Sequence, residues 1–151
     1  MSTIKEKIIV RGSTEKVFDA LTSPAGYRGW WSKDCQIAEK AGGESKLKFN
    51  KNGTIVSMRF RVDEVVPKTS VRWTCVGHDM ESWIGTTLNW ALAADGNATE
   101  VSFEHGGWKG DAPEPVVQGW RHFVGSLRSF VETGEGQPWC GSPDRALAFS
   151  K

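Results

Sequence analysis

His105 is the side chain of this sequence best placed to do chemistry. It ends the run Thr99–His105, in which Val101, Phe103 and His105 alternate and so share one face of a strand. An imidazole on the dry face of a sheet can serve as a general base, orient a ligand, or act as a structural hydrogen-bonding group. His78, Asp79, Met80 and Glu81 also include metal-ligand and acid–base types. They are adjacent, however, with no partner spacing to wrap them round one ion, and read as a solvated turn. His122 projects to the far side of a helix from its apolar stripe and reads as a surface residue. Cys35, Cys75 and Cys140 are odd in number and far apart, which fits reduced thiols better than a disulfide framework. The sequence contains no phosphate-cradling glycine loop, nucleophile elbow or zinc-spaced set, so neither metal nor cofactor is expected.

The elements that must position these groups are set by periodicity. Between Pro113 and Gly134, Val116, Val117, Trp120, Phe123, Val124, Leu127, Phe130 and Val131 recur at three- and four-residue spacing, predicting a long amphipathic helix capped by Gly134. Arg121, His122 and Ser129 fall on its opposite side. Upstream, Thr3–Val10 reads as a strand. Ser13 or Thr14 caps a short helix over Glu15–Leu21, and Pro24, Gly26 and Gly29 limit the next stretch to a brief helical turn before Trp30 and Trp31. Six strands come next, over Asp34–Ala38, Ser45–Asn50, Thr54–Val66, Val71–Val76, Ser82–Leu92 and Thr99–His105, with Lys51-Asn52-Gly53 as a hairpin turn. Consecutive strands joined by tight turns form an antiparallel meander with one dry face, and the C-terminal helix is the element large enough to cover it. The expected architecture is therefore α+β, in the order β-α-α-β(6)-α.

Eight tryptophans spread through 151 residues must converge on one interior, as bulky filling or as the walls of a cavity. Lysine plus arginine (19) nearly balances aspartate plus glutamate (18), which gives no field to hold nucleic acid or an anionic membrane. The N-terminal apolar run is too short for a secretory signal and no segment reaches membrane-span length, so a cytoplasmic protein without membrane or nucleic-acid partners is expected. Residues 1–136 read as one domain and 137–151 as a tail that Trp139, Leu147 and Phe149 could pin down.

Five stretches, STEKVFDALTSPAGYRGWW, AGGESKLKF, VVPKTSVRWT, TEVSFEHGGW and GWRHFVGSLRSFVETGEG, appear in an order that resembles the SRPBCC or START-like (Bet v I-like) helix-grip superfamily. Within it, the chain is similar to the homologues of the activator of heat shock protein 90 ATPase. The resemblance spans about Ile4 to Gly136. It implies a curved antiparallel sheet gripping the long C-terminal helix, with a cavity between them. The residues expected to bound that cavity are Met58, Phe60, Trp73, Leu88, Trp90, Phe103, Trp120 and Phe123, with Thr86 or His105 as a polar handle. The leading functional expectation is non-enzymatic binding of a small apolar or aromatic ligand. The alternatives are a protein partner, as an interaction module or chaperone ATPase co-regulator, and a cyclase or hydrolase using His105.

Overall fold

A computed structural model describes residues 3–51 and 53–139; Asn52 of the hairpin turn, Cys140 and the tail residues Leu147 and Phe149 lie outside the described residues. Strand β1 (Ile4–Val10) is followed by α1 (Thr14–Ala20) and α2 (Pro24–Trp30). Six strands then run in sequence: β2 (Asp34–Gln36), β3 (Glu44–Lys51), β4 (Thr54–Val66), β5 (Ser70–His78), β6 (Thr87–Asp95) and β7 (Ala98–Gly106). The closing helix is α3 (Glu114–Thr133), and Gly134 ends it in the left-handed conformation at φ 87°. The strands form one antiparallel sheet in the order β1-β7-β6-β5-β4-β3-β2. The first strand thus pairs with the last, from Ile4 opposite His105 to Val10 opposite Thr99. This is the α+β helix-grip architecture.

The dry face of the sheet carries Leu47, Phe49, Met58, Phe60, Val62, Val71, Trp73, Leu88, Trp90, Val101 and Phe103, all buried. Helix α3 presents Val116, Trp120, Phe123, Val124, Leu127 and Val131 to the same interior. Register irregularities between Arg59 and Phe60 and between Val62 and Glu64 interrupt the β4–β5 ladder. Such irregularities bend a strand and help a long sheet curve around a helix. Among the described residues, no helix is long and apolar enough to cross a membrane.

Two local expectations require correction. The stretch after Pro24 is a seven-residue helix rather than a brief turn, N-capped by Ser23, whose Oγ accepts from the Gly26 N–H at 2.9 Å. Its glycines do not break it, because one of them serves helix packing. A Cβ on Gly26 would stand 2.6 Å from the Ala20 carbonyl oxygen, so only glycine lets α2 approach α1 this closely. Tyr27 Oη donates to the Leu21 carbonyl at 2.7 Å and Trp30 Nε1 to the Ala20 carbonyl at 2.8 Å, locking that corner. Gly26→Ala is therefore expected to destabilise the protein by about 2 kcal/mol in urea titration; an unchanged midpoint would show that the corner is not close-packed.

The second correction concerns the stretch expected as one strand over Ser82–Leu92. Glu81–Trp83 is instead a short 3-10 turn, and strand pairing in β6 begins only at Thr87. Gly85, at φ 92°, turns the chain between them, and Thr86 Oγ1 donates to the Trp83 carbonyl at 2.6 Å. The detour drops Trp83 into the interior, fully buried.

Candidate functional site in the aromatic interior

The space between sheet and α3 is occupied by rings drawn from every part of the chain. Helix α2 and the residue after it supply Tyr27, Trp30 and Trp31, and the sheet supplies Phe49, Phe60, Trp73, Trp90 and Phe103. Trp83 comes from the 3-10 turn, Trp108 from the loop after β7, and Trp120 and Phe123 from α3. Two centres organise them.

The first is Trp31, 1% exposed. Its ring lies 5.1 Å from Trp120, 5.7 Å from Trp30, 6.0 Å from Tyr27, Phe49 and Phe60, and 6.4 Å from Phe123. Enclosed by carbon, its Nε1 has no hydrogen-bond partner among the described residues. Four other indoles have acceptors: Trp30 reaches the Ala20 carbonyl, Trp108 the His105 carbonyl at 3.2 Å, Trp120 the His105 ring at 3.0 Å and Trp139 the Asn50 carbonyl at 2.8 Å. A buried, unmade donor costs roughly 1–3 kcal/mol.

The second centre is His105, fully buried. Trp120 Nε1 donates to its Nδ1 at 3.0 Å, so Nδ1 carries no proton. The proton sits on Nε2, which donates to Thr86 Oγ1 at 2.9 Å, and the Thr86 hydroxyl passes its own hydrogen to the Trp83 carbonyl. One unbroken donor chain thus fixes the tautomer and ties α3, β7 and the 3-10 turn together. Burial pushes this imidazole down to about 3, and nearby His78 adds to the shift. His105 is therefore a neutral group with both nitrogens committed inside the fold.

His78 is not the solvated turn residue expected. It stacks on Trp83 at 4.4 Å, nearly parallel, and its Nδ1 accepts from the Met80 N–H at 2.8 Å. Burial lowers it to about 4, partly opposed by Asp79. Trp83 consequently stands between two imidazoles, with His105 edge-on at 4.7 Å. Asp79 accepts from the Ser57 N–H, and no group of histidine, cysteine and carboxylate side chains capable of holding a metal occurs among the described residues. Cys35 and Cys75 are buried thiols in no disulfide; burial raises both, Cys75 to about 11, so neither is a ready nucleophile.

All ten residues expected to bound a cavity are buried: Met58, Phe60, Trp73, Thr86, Leu88, Trp90, Phe103, His105, Trp120 and Phe123. They do not stand apart around an open space. Phe103 lies 4.3 Å from both Trp90 and Trp120, Phe60 lies 5.5 Å from Trp73, and Trp73 stacks on Tyr27 at 5.0 Å. The expected set lacks Tyr27, Trp30, Trp31, Phe49, Trp83 and Trp108; all but Phe49, which lies on β3, sit at helix corners or in loops, which carry no facing pattern. For Trp31 a signal existed: of two adjacent tryptophans at a helix end, one must leave the helix's own buried face.

The far side of α3 is also used. His122 rests on Phe123 and donates from Nε2 to the Gln137 carbonyl at 3.0 Å, while Ser129 Oγ donates to the Glu135 carbonyl at 2.7 Å. These bonds lay the chain after Gly134 back along the helix. It brings Trp139, 5% exposed, against Phe49 at the side of the interior, where it forms part of a surface pocket of about 340 Å³.

No curated protein matches the chain significantly. Solved structures do. The chain is 32% identical to the Aha1 protein of Colwellia psychrerythraea, solved in solution as a dimer; the match covers 90% of this chain and all of that one, with a TM-score of 0.76. A protein from Chromobacterium violaceum is 22% identical over 86% of this chain and 96% of its own, with a TM-score of 0.75. Ara h 8.0201 shares the fold at 16% identity, covering 86% and 97% of the two chains, with a TM-score of 0.69. The family described as Activator of Hsp90 ATPase homolog 1-like protein matches residues 11–132, from the end of β1 to the last turn of α3. On that match and on the shared sheet-and-helix architecture, the chain belongs to the Activator of Hsp90 ATPase homolog 1-like family of the helix-grip superfamily.

Proposed function

We propose that this protein is a non-enzymatic binding module that takes a small, flat apolar or aromatic molecule into the space between the curved sheet and α3. The observation that carries the reading is Trp31: a buried hydrogen-bond donor without an acceptor, surrounded by six aromatic rings. Sites for small molecules combine such apolar walls with a few polar groups. His105 supports the non-catalytic side of the proposal, since both its nitrogens are spent on Trp120 and Thr86 and burial keeps the ring from taking up a proton near neutral pH. The ten residues named from the sequence, with Tyr27 and Trp31 added, would make the wall. Room for a ligand would come from rearrangement of these rings.

The test is a titration with aromatic and fatty compounds followed by tryptophan fluorescence and thermal unfolding. At about a hundredfold excess over the dissociation constant, a true ligand stabilises by about 2.7 kcal/mol, equivalent to about 5–10 °C in a protein of this size. Quenching together with an upward shift is expected for at least one aromatic compound. No response across the panel would remove the reading.

A second reading, a chaperone ATPase co-regulator, is favoured by the family match and by the relative solved as a dimer. Ile9, Ile55, Val66 and Ile84 are exposed apolar residues available to such a contact. It is tested by measuring ATP turnover of heat shock protein 90 with and without this protein; unchanged turnover at saturating concentration would exclude it.

A further inference from the structure

We infer that the indole N–H of Trp31 is the specificity-determining contact of the interior, and that it selects a neutral, flat aromatic molecule carrying a carbonyl-type hydrogen-bond acceptor. The inference rests on the ligand-binding reading above and adds the chemistry by which that site would choose its occupant.

Trp31 has the properties of a preorganised donor. Its backbone is held at the end of α2, where its N–H donates to the Tyr27 carbonyl at 2.8 Å and its carbonyl accepts from the Trp139 N–H at 2.7 Å. Its ring is fixed in turn, lying nearly parallel to Trp30, at 10°, and met from α3 by Trp120. Bulk solvent does not reach this side chain, and Nε1 has no partner among the described residues. The polar groups of the rings around it are already committed. Tyr27 Oη donates to the Leu21 carbonyl, Trp30 Nε1 to the Ala20 carbonyl and Trp120 Nε1 to His105. A donor already desolvated and held in place costs little further ordering when an acceptor arrives, so an entering acceptor gains the bond.

The type of the unmet groups narrows the ligand. His78 accepts from the Met80 N–H at Nδ1, so its proton sits on Nε2, a second buried donor without an acceptor. Among the described residues, no buried side-chain oxygen lacks a hydrogen-bond partner. A ligand hydroxyl or N–H would therefore find no waiting side-chain acceptor, whereas a ligand oxygen finds a waiting donor.

Charge is disfavoured as well. The buried polar side chains are Ser32, Ser45, Thr86, Thr99, His105 and Ser126; among the described residues no lysine or arginine joins them, and burial keeps His105 neutral. A carboxylate would enter without a counter-charge and lose its hydration. The chemistry that remains is a neutral carbonyl, as in an aryl ketone, aldehyde or quinone, on a ring flat enough to lie beside Trp120 and Phe60.

The experiment compares acetophenone with α-methylstyrene, which keeps the shape and replaces the carbonyl oxygen by a methylene group, and with benzoate as the charged analogue. Binding is measured by calorimetry on the full chain, unmodified and as Trp31→Phe, and the Trp31 indole N–H is followed by NMR. Trp31→Phe is expected to weaken acetophenone about three- to tenfold relative to α-methylstyrene. The relative measure cancels the change in packing that both compounds feel. In the unmodified protein, the Trp31 N–H resonance is expected to move downfield with acetophenone and not with α-methylstyrene, and benzoate is expected to bind more weakly than acetophenone. That resonance decides the matter on its own if Trp31→Phe fails to fold. Equal weakening of acetophenone and α-methylstyrene, or a Trp31 N–H that does not respond to bound acetophenone, would overturn the contact while leaving the ligand-binding reading intact. Benzoate binding as tightly as acetophenone would overturn the neutral class. Failure of acetophenone to bind while other aromatic compounds do would sink this inference alone, whereas binding of no aromatic compound would remove the ligand-binding reading on which it depends.

Discussion

Replacing His105 with alanine is expected to lower the free energy of unfolding by about 3–5 kcal/mol. Three losses combine. The imidazole is fully buried among Trp83, Trp108 and Trp120, so its removal opens a void in packed aromatic surroundings. Trp120 Nε1 loses its acceptor and Thr86 Oγ1 loses its ring partner, each now a buried polar atom with an unmade bond. Urea denaturation followed by fluorescence measures the loss. His105→Gln, which keeps an acceptor and a donor on a side chain of comparable reach, should recover part of it. A loss below roughly 1 kcal/mol for the alanine variant would mean that the donor chain through His105 does not hold the fold together.

Acidification supplies the second large effect. His105 and His78 titrate at about 3 and about 4 in the folded protein, whereas an unfolded imidazole titrates near ~6.5. Between those values the unfolded chain binds more protons than the folded one, so stability is complete above the unfolded value and falls as pH falls. From about pH 7 to about pH 4.5, His105 alone should account for a loss of about 3 kcal/mol. His78, half-buried and therefore partly screened by solvent, adds a smaller amount. Urea midpoints across this range should decline, and the decline should shrink in His105→Gln. A flat profile would mean that the imidazole is not excluded from water as its surroundings indicate.

The fold was legible because its largest pieces carry unambiguous periods. The three-and-four spacing from Val116 to Val131 and the alternation from Val56 to Val62 admit one element type each, and Gly134 marks the helix end at the position where a left-handed residue is observed. The α2 region and the start of β6 were misjudged for a common reason. Gly26 reads as a breaker from the local sequence, whereas its role is to let two helices touch, and Gly85 turns the chain with no local signal beside it. A glycine's meaning depends on a neighbour that the local sequence does not name. The interior was legible only on strands and on α3, where alternation assigns a face. Trp31, Trp83, Trp108 and Trp139 reach it from corners and loops, whose direction is set by tertiary packing alone. His122 and Ser129 show the same limit, since the wheel projection that turned them outward could not foresee a returning segment for them to bind.

The pairing of β1 with β7 also bears on how the protein is made. Ile4 meets His105, so the first strand leaves the ribosome with its partner still to be synthesised, roughly 5–20 s away at ordinary elongation rates. The helix that covers the dry face comes later still. Until both have emerged, the nascent chain carries a sheet whose aromatic face is uncovered and whose later strands lack a neighbour. This protein therefore completes its fold after translation has passed α3, and the interval before that is when its many tryptophans are most exposed to holding chaperones and to aggregation.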